Sequence, residues 1–497
     1  MRLAHTLAIN LGQPARCLHF CAVFELNGRI QGKSWRPTLS MFPPEGLIDG
    51  LTTKRRRTQL RKIEFANLKY LPQSQRDSVD GKMKVIAFGV GAYTHGMLKV
   101  LRENEAEVST YLTRDYAHYP PSLEGPTFDS AKMPNPCALI REHKPDFILV
   151  QSIDWAEKPW SDELIATGVP IFCPTGMALK LERERDFARQ LCERFGVPFP
   201  RSHVARSLAD ARQILRLDPR PYVIKNPLCS PNSPVHTIVC ESVADTACWL
   251  ERVDYSEGVF LQEYMGRAEA GHIALVSAGE IHSLVTNQEY KRAFNGNMGI
   301  VAGAPLGGLV EKDPEDRYGL ARELLHPLLP WFRESKFHGP VQVTAIRSGD
   351  HWSVLEYNVR VGVTSGPMVL RMVENPAEMI LKVSRNEPVR IAFRPNVSNG
   401  CSITLAGFGY PYVQLDCPML PVEVRGDLDC DVYWNEVARD STGALCMTGH
   451  RICDVVAVDK NLPGAIAKVY ANIGKIRCLG SYFRTDVGAS LWPPGTV

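Results

Sequence analysis

The stretch VLEYNVRVG carries three polar side chains at alternate positions. In a β-strand alternate residues share one face, so Glu356, Asn358 and Arg360 would project together. Leu355 and Tyr357 would then face the core. A carboxylate and an amide oxygen side by side are hard donors that suit Mg²⁺ next to nucleotide phosphates, and a guanidinium can pair with a carboxylate or phosphate. The strand indicates a metal and anion site, although a solvated face with a salt bridge is the simpler alternative.

Two other segments carry cations where a phosphate could bind. YVIKNP ends an apolar strand with Lys225, and QEYKR places Lys291 and Arg292 before a glycine-bearing loop. Lys225 alone is more often simply an exposed lysine, and the segment with Lys291 and Arg292 could be an ordinary charged turn. The order of a strand-end lysine, an anion loop and then an acidic strand is what indicates a nucleotide site.

The elements that must position these residues follow from hydrophobic periodicity. MKVIAFGVGAYTHGMLKVLREN predicts a buried strand, a tight turn and a helix, and further strands are predicted at residues 144–152 and 168–175. Helical segments between them predict a parallel α/β layer. Farther along, hairpins are predicted at Ala278-Gly279 and at 348–350, and beyond Glu387 the pattern predicts short strands with one late helix.

Composition bounds the class of protein. The chain has 497 residues, 44% hydrophobic and 22% charged, which is typical of a globular protein of about two to four domains. No apolar run is long enough to cross a bilayer, so we expect no membrane partner. The net charge of +3 is uneven, because residues 1–82 hold 14 Lys and Arg against 6 Asp and Glu. The basic pI therefore does not indicate nucleic-acid binding. The 14 cysteines form no CxxC pair, which favours reduced thiols in the cytoplasm.

Residues 1–82 differ from the rest of the chain. They contain the basic run KRRRTQLRK and little periodicity. A targeting peptide, a nuclear or nucleic-acid patch, and a disordered or mis-started extension are the three interpretations. Acidic residues within the segment argue against the first. We expect a dispensable extension, with the first strand opening at Met83.

The order of these segments resembles the ATP-grasp ligases, and in detail the phosphoribosylamine–glycine ligase family. YVIKNP resembles that family's strand with the first ATP lysine, FLQEYM resembles its adenine hinge, and QEYKR and VLEYNVRVG resemble two of its characteristic motifs. The C-terminal segments GYP, GHRICDVVAV, AIAKVYANIGKI and GSYFRTDVG resemble the same family. The resemblance covers nearly all of residues 83–497.

The resemblance implies a multidomain α/β and α+β architecture. A parallel α/β domain would span residues 83–183, and an ATP-grasp domain would span 184–386, with its lid at about 205–275. A small β-rich domain would span 387–497.

The resemblance also implies roles for individual residues. Glu356 and Asn358 would hold Mg²⁺ or Mn²⁺. The implied ATP contacts are Arg185, Lys225, Glu263, Tyr264 and Glu269. The implied catalytic cations are Lys291, Arg292 and Arg360. The implied substrate-phosphate turn contains Gly91 and His95. The implied activity joins a glycine-like acid to a phosphoribosylamine-like amine with ATP, in a cytoplasmic monomer or homodimer of purine biosynthesis.

The sequence departs from the family pattern near the substrates. The lid segment after Lys225 is CSPNSPVHT, which has two prolines and no glycine, and proline removes a backbone donor. Glu289 replaces an aspartate, and Val363-Thr364-Ser365 replaces Asp-Pro-Glu. Two alternatives therefore stay open: an ATP-grasp ligase with a different acid and amine, and a non-catalytic paralogue that binds a nucleotide or a partner.

Overall fold

The computed structural model describes residues 81–230, 237–412 and 419–489. Nearly all of the predicted extension at 1–82 and most of the lid segment CSPNSPVHT lie outside these ranges, so the predictions for both stay untested. Within the described ranges, no helix combines the length and the apolar character needed to cross a membrane.

A parallel sheet forms the first layer. Its region contains β1 (Lys84–Phe88), α1 (Gly91–Glu103), β2 (Glu107–Leu112), β3 (Thr127–Asp129), α2 (Cys137–His143), β4 (Phe147–Val150) and α3 (Ser161–Ala166). The strand order is β3-β2-β1-β4, with every pair parallel. The central strand β1 has helices and strands on all sides, which is why its last four residues are apolar and buried. The predicted N-terminal parallel α/β layer is confirmed.

The strand predicted at residues 168–175 is wrong in extent. Only Ile171 pairs, in an isolated parallel bridge with Ile148. Pro170 and Pro174 flank the bridge, and neither has an N–H group to donate to a longer ladder. Strand β3, which was not predicted, lies at the opposite edge of the sheet.

A small antiparallel sheet follows. The region contains α4 (Lys180–Arg183), α5 (Arg185–Phe195), β5 (Ser202–Ala205), α6 (Leu208–Leu217), β6 (Tyr222–Lys225), β7 (Ile238–Val239), α7 (Val243–Leu250) and β8 (Val259–Glu263). The strand order is β5-β8-β6-β7. Gly196 ends α5 in the left-handed conformation, as the sequence predicts. Ser207 and Ser242 cap α6 and α7 through their side chains.

The central part of the chain supplies most of a large sheet. Its elements are β9 (Glu269–Ser277), β10 (Glu280–Glu289), β11 (Arg292–Phe294), β12 (Met298–Val301), β13 (Gly307–Lys312), α8 (Leu320–Leu324), α9 (Leu329–Glu334), β14 (Gly339–Ser348), β15 (His351–Asn358), α10 (Gly366–Met372) and α11 (Pro376–Ser384). The predicted hairpins are confirmed as β9–β10 and β14–β15. Ala278 and Gly279 both have positive φ, the conformation a tight two-residue hairpin turn requires.

The C-terminal part completes that sheet. Its elements are β16 (Asn399–Ala406), β17 (Leu420–Val424), β18 (Asp431–Trp434), β19 (Val437–Arg439), β20 (Leu445–Met447), β21 (Arg451–Asp459), α12 (Leu462–Ile473) and β22 (Ile476–Cys478). The large sheet runs β15-β14-β9-β10-β13-β16-β21-β18, so it continues across the boundary predicted at residue 387. A second small sheet runs β19-β20-β17-β22. The domain limits themselves stay predictions.

Candidate active site

Strand β15 presents the polar residues as a row. In its ladder with β14, Glu356 lies opposite Thr344 and Asn358 lies opposite Gln342. Tyr357 points the other way and is only 2% exposed. Glu356 and Asn358 therefore share the face that the alternation of VLEYNVRVG predicts.

A β-bulge breaks that alternation at Leu355. Glu356 and Val354 pair with consecutive residues of β14, so Leu355 is an extra residue in the strand. The prediction that Leu355 lies in the core is wrong, since its side chain is only half-buried. Its carbonyl oxygen accepts a hydrogen bond from Nζ of Lys225 at 3.1 Å. At the bulge, the backbone of β15 is thus hydrogen-bonded to Lys225 of β6, in the sheet β5-β8-β6-β7.

The carboxylate of Glu356 is surrounded by cations. Its Oε1 lies 3.2 Å from Nζ of Lys291, and its Oε2 lies 3.5 Å from Nη1 of Arg185. Burial alone would raise the pKa of this carboxyl, but Lys291, Lys225 and Arg185 outweigh burial and hold the pKa well below its ordinary value. Glu356 is therefore ionised at neutral pH.

Lys291 lies among three carboxylates. Its Nζ is 3.2 Å from Glu356, 3.5 Å from Glu269 and 3.8 Å from Glu289. Burial opposes the charge of Lys291, but these carboxylates together raise its pKa above the ordinary lysine value. The ammonium thus occupies a strongly negative position beside β15.

Lys225 is the buried cation of the group. Its side chain lies at the end of β6, and the residue is 5% exposed. Nζ donates to Oε1 of Gln262 at 2.8 Å and to the carbonyl of Leu355 at 3.1 Å. Burial and then the nearby Arg185 lower the pKa of Lys225 to about 7. A phosphate bound next to Nζ would favour the charged ammonium and raise this pKa again.

Arg360 belongs to a second ion pair next to this group. Its Nε donates to Oε1 of Glu182 at 3.2 Å, while Oε2 of Glu182 accepts from the amide of Val359 at 2.7 Å. Burial opposes the charge on Arg360, but Glu182 outweighs burial and raises the pKa of the guanidinium. Arg360 follows Asn358 along the chain and remains charged.

Arg292 pairs with a carboxylate outside the cluster around Glu356. Its guanidinium donates to Glu241 at 3.0 Å and to the carbonyl of Gly299 at 3.1 Å. Glu241 also pairs with Arg267 in the hinge region between β8 and β9. Within the described residues Arg292 has no ion pair or hydrogen bond to Glu356 or Asn358 of β15. Its catalytic role therefore stays a prediction.

The predicted hinge residues divide between two places. Glu269 joins the cluster through Lys291. Glu263 instead pairs with Arg220, and the amide of Tyr264 donates to the carbonyl of Pro221 at 2.9 Å. The hinge backbone is therefore ordered by contacts within the small-sheet region.

The predicted substrate-phosphate turn is packed inside the protein. His95 is 5% exposed, its Nδ1 accepts from the amide of Trp434 at 2.9 Å, and its Nε2 lies 3.3 Å from Glu124. Gly91 has φ of +75°, and a Cβ there would overlap the Asn435 side chain. Both residues contact the β18 region or the loop after it, and their phosphate role stays a prediction.

Known ligases resemble the chain over most of its length. Phosphoribosylamine–glycine ligases from Streptococcus suis and Leifsonia xyli are 24% and 26% identical to the chain over 430 and 428 residues, covering 82% of the chain and 99% and 100% of those ligases. The chain is thus similar to phosphoribosylamine–glycine ligases over nearly their whole length. No family model matches it.

Solved structures show the same fold. The crystal structure of phosphoribosylamine–glycine ligase from Thermotoga maritima aligns with a TM-score of 0.64 at 20% identity, covering 81% of this chain and all of that one. A biotin carboxylase–β,γ-ATP complex from Campylobacter jejuni aligns with a TM-score of 0.61 at 12% identity, covering 81% of this chain and 93% of that one. The fold is therefore the ATP-grasp fold, as the resemblance implies.

A cleft lies beside the charged cluster. Phe199, Phe260, Leu355, Glu356 and Arg185 are among the residues that line it, and it is a shallow depression that is partly open to solvent. Phe199 and Phe260 come from the region of the sheet β5-β8-β6-β7, Leu355 and Glu356 from β15, and Arg185 from α5. An apolar wall that ends in charges suits a ligand with an aromatic base at one end and phosphates at the other.

The β15 row fits a magnesium or manganese ion. Glu356 is ionised, and Asn358 offers an amide oxygen on the same face. Lys291 and Arg185 stand close enough to share the charge of bound phosphates. The donor set matches a metal that keeps several of its ligands from water and nucleotide.

A second acidic group, His272 with Asp313 and Asp316, serves hydrogen bonding. The Asp313 carboxylate accepts from Thr286 at 2.7 Å and from the amide of Arg317 at 2.9 Å. Both oxygens of Asp316 accept backbone amides at the start of α8. These bonds account for the carboxylates without a metal ion.

Several residues of the site were not predicted. They are hydrogen-bond acceptors for predicted cations. Glu182 accepts from Arg360, Glu241 accepts from Arg292, and Gln262 accepts from Lys225. Gln262 directly precedes Glu263 in FLQEYM. An amide within a largely apolar strand was the sequence signal that could have indicated a role for Gln262. No sequence pattern indicated Glu182 or Glu241, because their partners lie 178 and 51 positions away.

Proposed function

We propose that the protein is an ATP-dependent carboxylate–amine ligase of purine biosynthesis, which joins glycine to 5-phosphoribosylamine and releases glycinamide ribonucleotide, ADP and phosphate. The observation that carries the proposal is the cluster of Glu356, Lys291, Arg185 and Lys225 beside the cleft, in a chain that matches phosphoribosylamine–glycine ligases over 82% of its length.

In the first step, a carboxylate oxygen of glycine attacks the γ-phosphorus of ATP, the bond to the β-phosphate oxygen breaks, and ADP leaves. Lys225 and Arg185 neutralise phosphate oxygens, and Lys291 orients the phosphate that is transferred. Glu356 and Asn358 would hold Mg²⁺ or Mn²⁺, which supplies charge neutralisation at the phosphates. Positioning and electrostatics account for the rate, so no protein nucleophile is required.

In the second step, the amine nitrogen of phosphoribosylamine attacks the carbonyl carbon of the acyl phosphate. Phosphate leaves with the bonding electrons, and the amine loses a proton to solvent. Arg360 orients the acid and the acyl phosphate, since it is charged and stands next to the β15 row. Arg292 has the same proposed role, which requires it to leave Glu241.

A ligase with a different acid or amine is the second candidate. The buried hydroxyls of Thr364 and Ser365 have no hydrogen-bond partner within the described residues, and a Cβ on Gly362 would lie 3.2 Å from a carboxylate oxygen of Glu289. Thr364, Ser365 and Glu289 are positions where the chain departs from the family pattern, and Gly362 adjoins them, which supports an altered substrate.

The proposal includes a cytoplasmic enzyme, as a monomer or homodimer, that acts on small molecules. The cysteines of the described residues are free thiols, which supports a reducing compartment.

ADP release tests the proposal. The purified protein is incubated with ATP, Mg²⁺ and each of several small acids, with phosphoribosylamine generated in situ. The proposal predicts ADP release that requires both glycine and the amine, and growth of a purine auxotroph that carries the gene. Release with another acid and no growth would support the second candidate, and absence of release with every pair would overturn both.

A further inference from the structure

Gln262 is completely buried between two sheets. Its Oε1 accepts from Nζ of Lys225 at 2.8 Å, and its Nε2 donates to the carbonyls of Leu355 and Val354 at 3.3 and 3.4 Å. The side chain has an exposure of 0%. One amide therefore connects β6 and β8 of the small sheet with β15 of the large sheet.

The connection is made at the β-bulge. Leu355 is the extra residue of the bulge, and its carbonyl accepts from both Lys225 and Gln262. The three groups form a closed triangle of hydrogen bonds. Lys225 is thereby fixed relative to the strand that carries Glu356.

The chemistry of the amide matters as much as its position. A lysine in an apolar interior needs hydrogen-bond partners. A carboxylate at position 262 would supply a partner and also neutralise the ammonium. Gln262 and the carbonyl of Leu355 are both neutral, so they orient Nζ without forming an ion pair with it.

We propose that Gln262 is a positioning residue that holds Lys225 against the Leu355 bulge, so that the ammonium meets the nucleotide phosphates. The inference rests on the proposed nucleotide site. It assigns to Gln262 an effect on phosphate binding that is exerted only through Lys225.

A double-mutant cycle tests the inference. Affinities for ATP and for adenosine are measured by calorimetry for the wild type, Gln262→Met, Lys225→Met and the double variant. We expect Gln262→Met to weaken ATP binding about tenfold, the scale of a hydrogen bond to a charged group, and to leave adenosine binding unchanged. The double variant should bind ATP no more weakly than Lys225→Met.

Two further variants separate positioning from folding. Thr246→Val removes a buried hydrogen bond to the amide of Tyr222 in the same small-sheet region and does not touch Lys225, so its ATP affinity should equal that of the wild type. Gln262→Asn keeps an amide but is one methylene shorter and cannot reach Nζ. It should show the same loss, selective for ATP, as Gln262→Met.

Several outcomes would overturn the inference: equal losses for ATP and adenosine, effects of Gln262→Met and Lys225→Met that add, or normal ATP affinity in Gln262→Asn. The ligase proposal fails separately, if the wild type binds ATP but releases no ADP with any acid and amine. A wild type that binds no ATP would overturn both.

Discussion

Nζ of Lys291 lies 3.2 Å from Oε1 of Glu356, although 65 positions separate the two residues in the chain. The contact joins the segment after β10 to the C-terminal part of β15, two residues before its end at Asn358. Arg185, from α5, reaches the other oxygen of the same carboxylate. Three distant segments thus meet at Glu356, which makes this residue the centre of the candidate site.

Glu356→Ala should abolish ATP turnover and leave the fold intact. The change removes the proposed metal carboxylate and leaves Lys291, Arg185 and Lys225 without their shared anion. We expect a decrease in kcat of at least about a hundredfold, the scale for loss of one electrostatic group. ADP release and thermal unfolding would be measured together. Glu193→Ala, at an exposed site on α5, is the matched control and should be fully active.

Near-normal ADP release by folded Glu356→Ala would remove the metal assignment. A variant that unfolds would instead show that the cluster is structural, which the exposure of a quarter of the Glu356 side chain argues against.

Asn358→Leu should raise the Mg²⁺ concentration needed for half-maximal activity, by about tenfold or more at fixed ATP. Leucine matches the size of asparagine but offers no oxygen to the metal. Asn358→Asp keeps an oxygen donor and should need far less added Mg²⁺ than the leucine variant. Equal Mg²⁺ dependence in the wild type and Asn358→Leu would show that this side chain is not a ligand.

Lys225 should make folding stability depend on pH. Its pKa is about 7 in the folded protein against 10.5 as the ordinary value, so between these values the unfolded chain binds the extra proton. The free energy of unfolding should therefore rise with pH across that window, by up to about 1.4 kcal/mol per pH unit, and be lowest below pH 7.

Lys225→Met lacks this titration and provides the comparison. Urea unfolding of both proteins from pH 6 to pH 10 should give a stability advantage of Lys225→Met that shrinks as the pH rises. An advantage that stays constant would mean that Lys225 titrates alike in both states.

Glu182→Ala should destabilise the protein by about 3 kcal/mol, because it leaves the Arg360 guanidinium and the Val359 amide without their acceptor. Only 2% of the Glu182 side chain is exposed, so water cannot replace it readily. Urea unfolding measures the change. Replacing both Glu182 and Arg360 with methionine should cost less than the sum of the single changes, and strict additivity would show that the two charges act independently.

Local pattern was sufficient to predict much of the fold. The strand of MKVIAF, the end of α5 at Gly196 and both hairpins depend on neighbouring residues, and each formed as predicted. The prediction failed where long-range pairing decides. Residues 168–175 are apolar enough for a strand, but prolines confine them to one bridge, and the bulge that turns Leu355 out of the core depends on its register with β14.

The candidate site likewise contains residues that could be predicted and partners of those residues that could not. Residue type and order along the chain selected Glu356, Lys291 and Lys225, and the family resemblance implied Arg185 and Glu269. The fold brings these five residues together. The ties of Arg292 to Glu241 and of His95 to Trp434 could not be predicted, because they join residues that approach only in the folded chain.

The path of oxygen during turnover tests the central claim most directly. Glycine labelled with ¹⁸O in its carboxylate is turned over with ATP and phosphoribosylamine, and the released phosphate is examined by mass spectrometry. An acyl phosphate formed on glycine predicts one ¹⁸O atom in each phosphate. Phosphate without ¹⁸O, released while ADP and glycinamide ribonucleotide accumulate, would contradict the account.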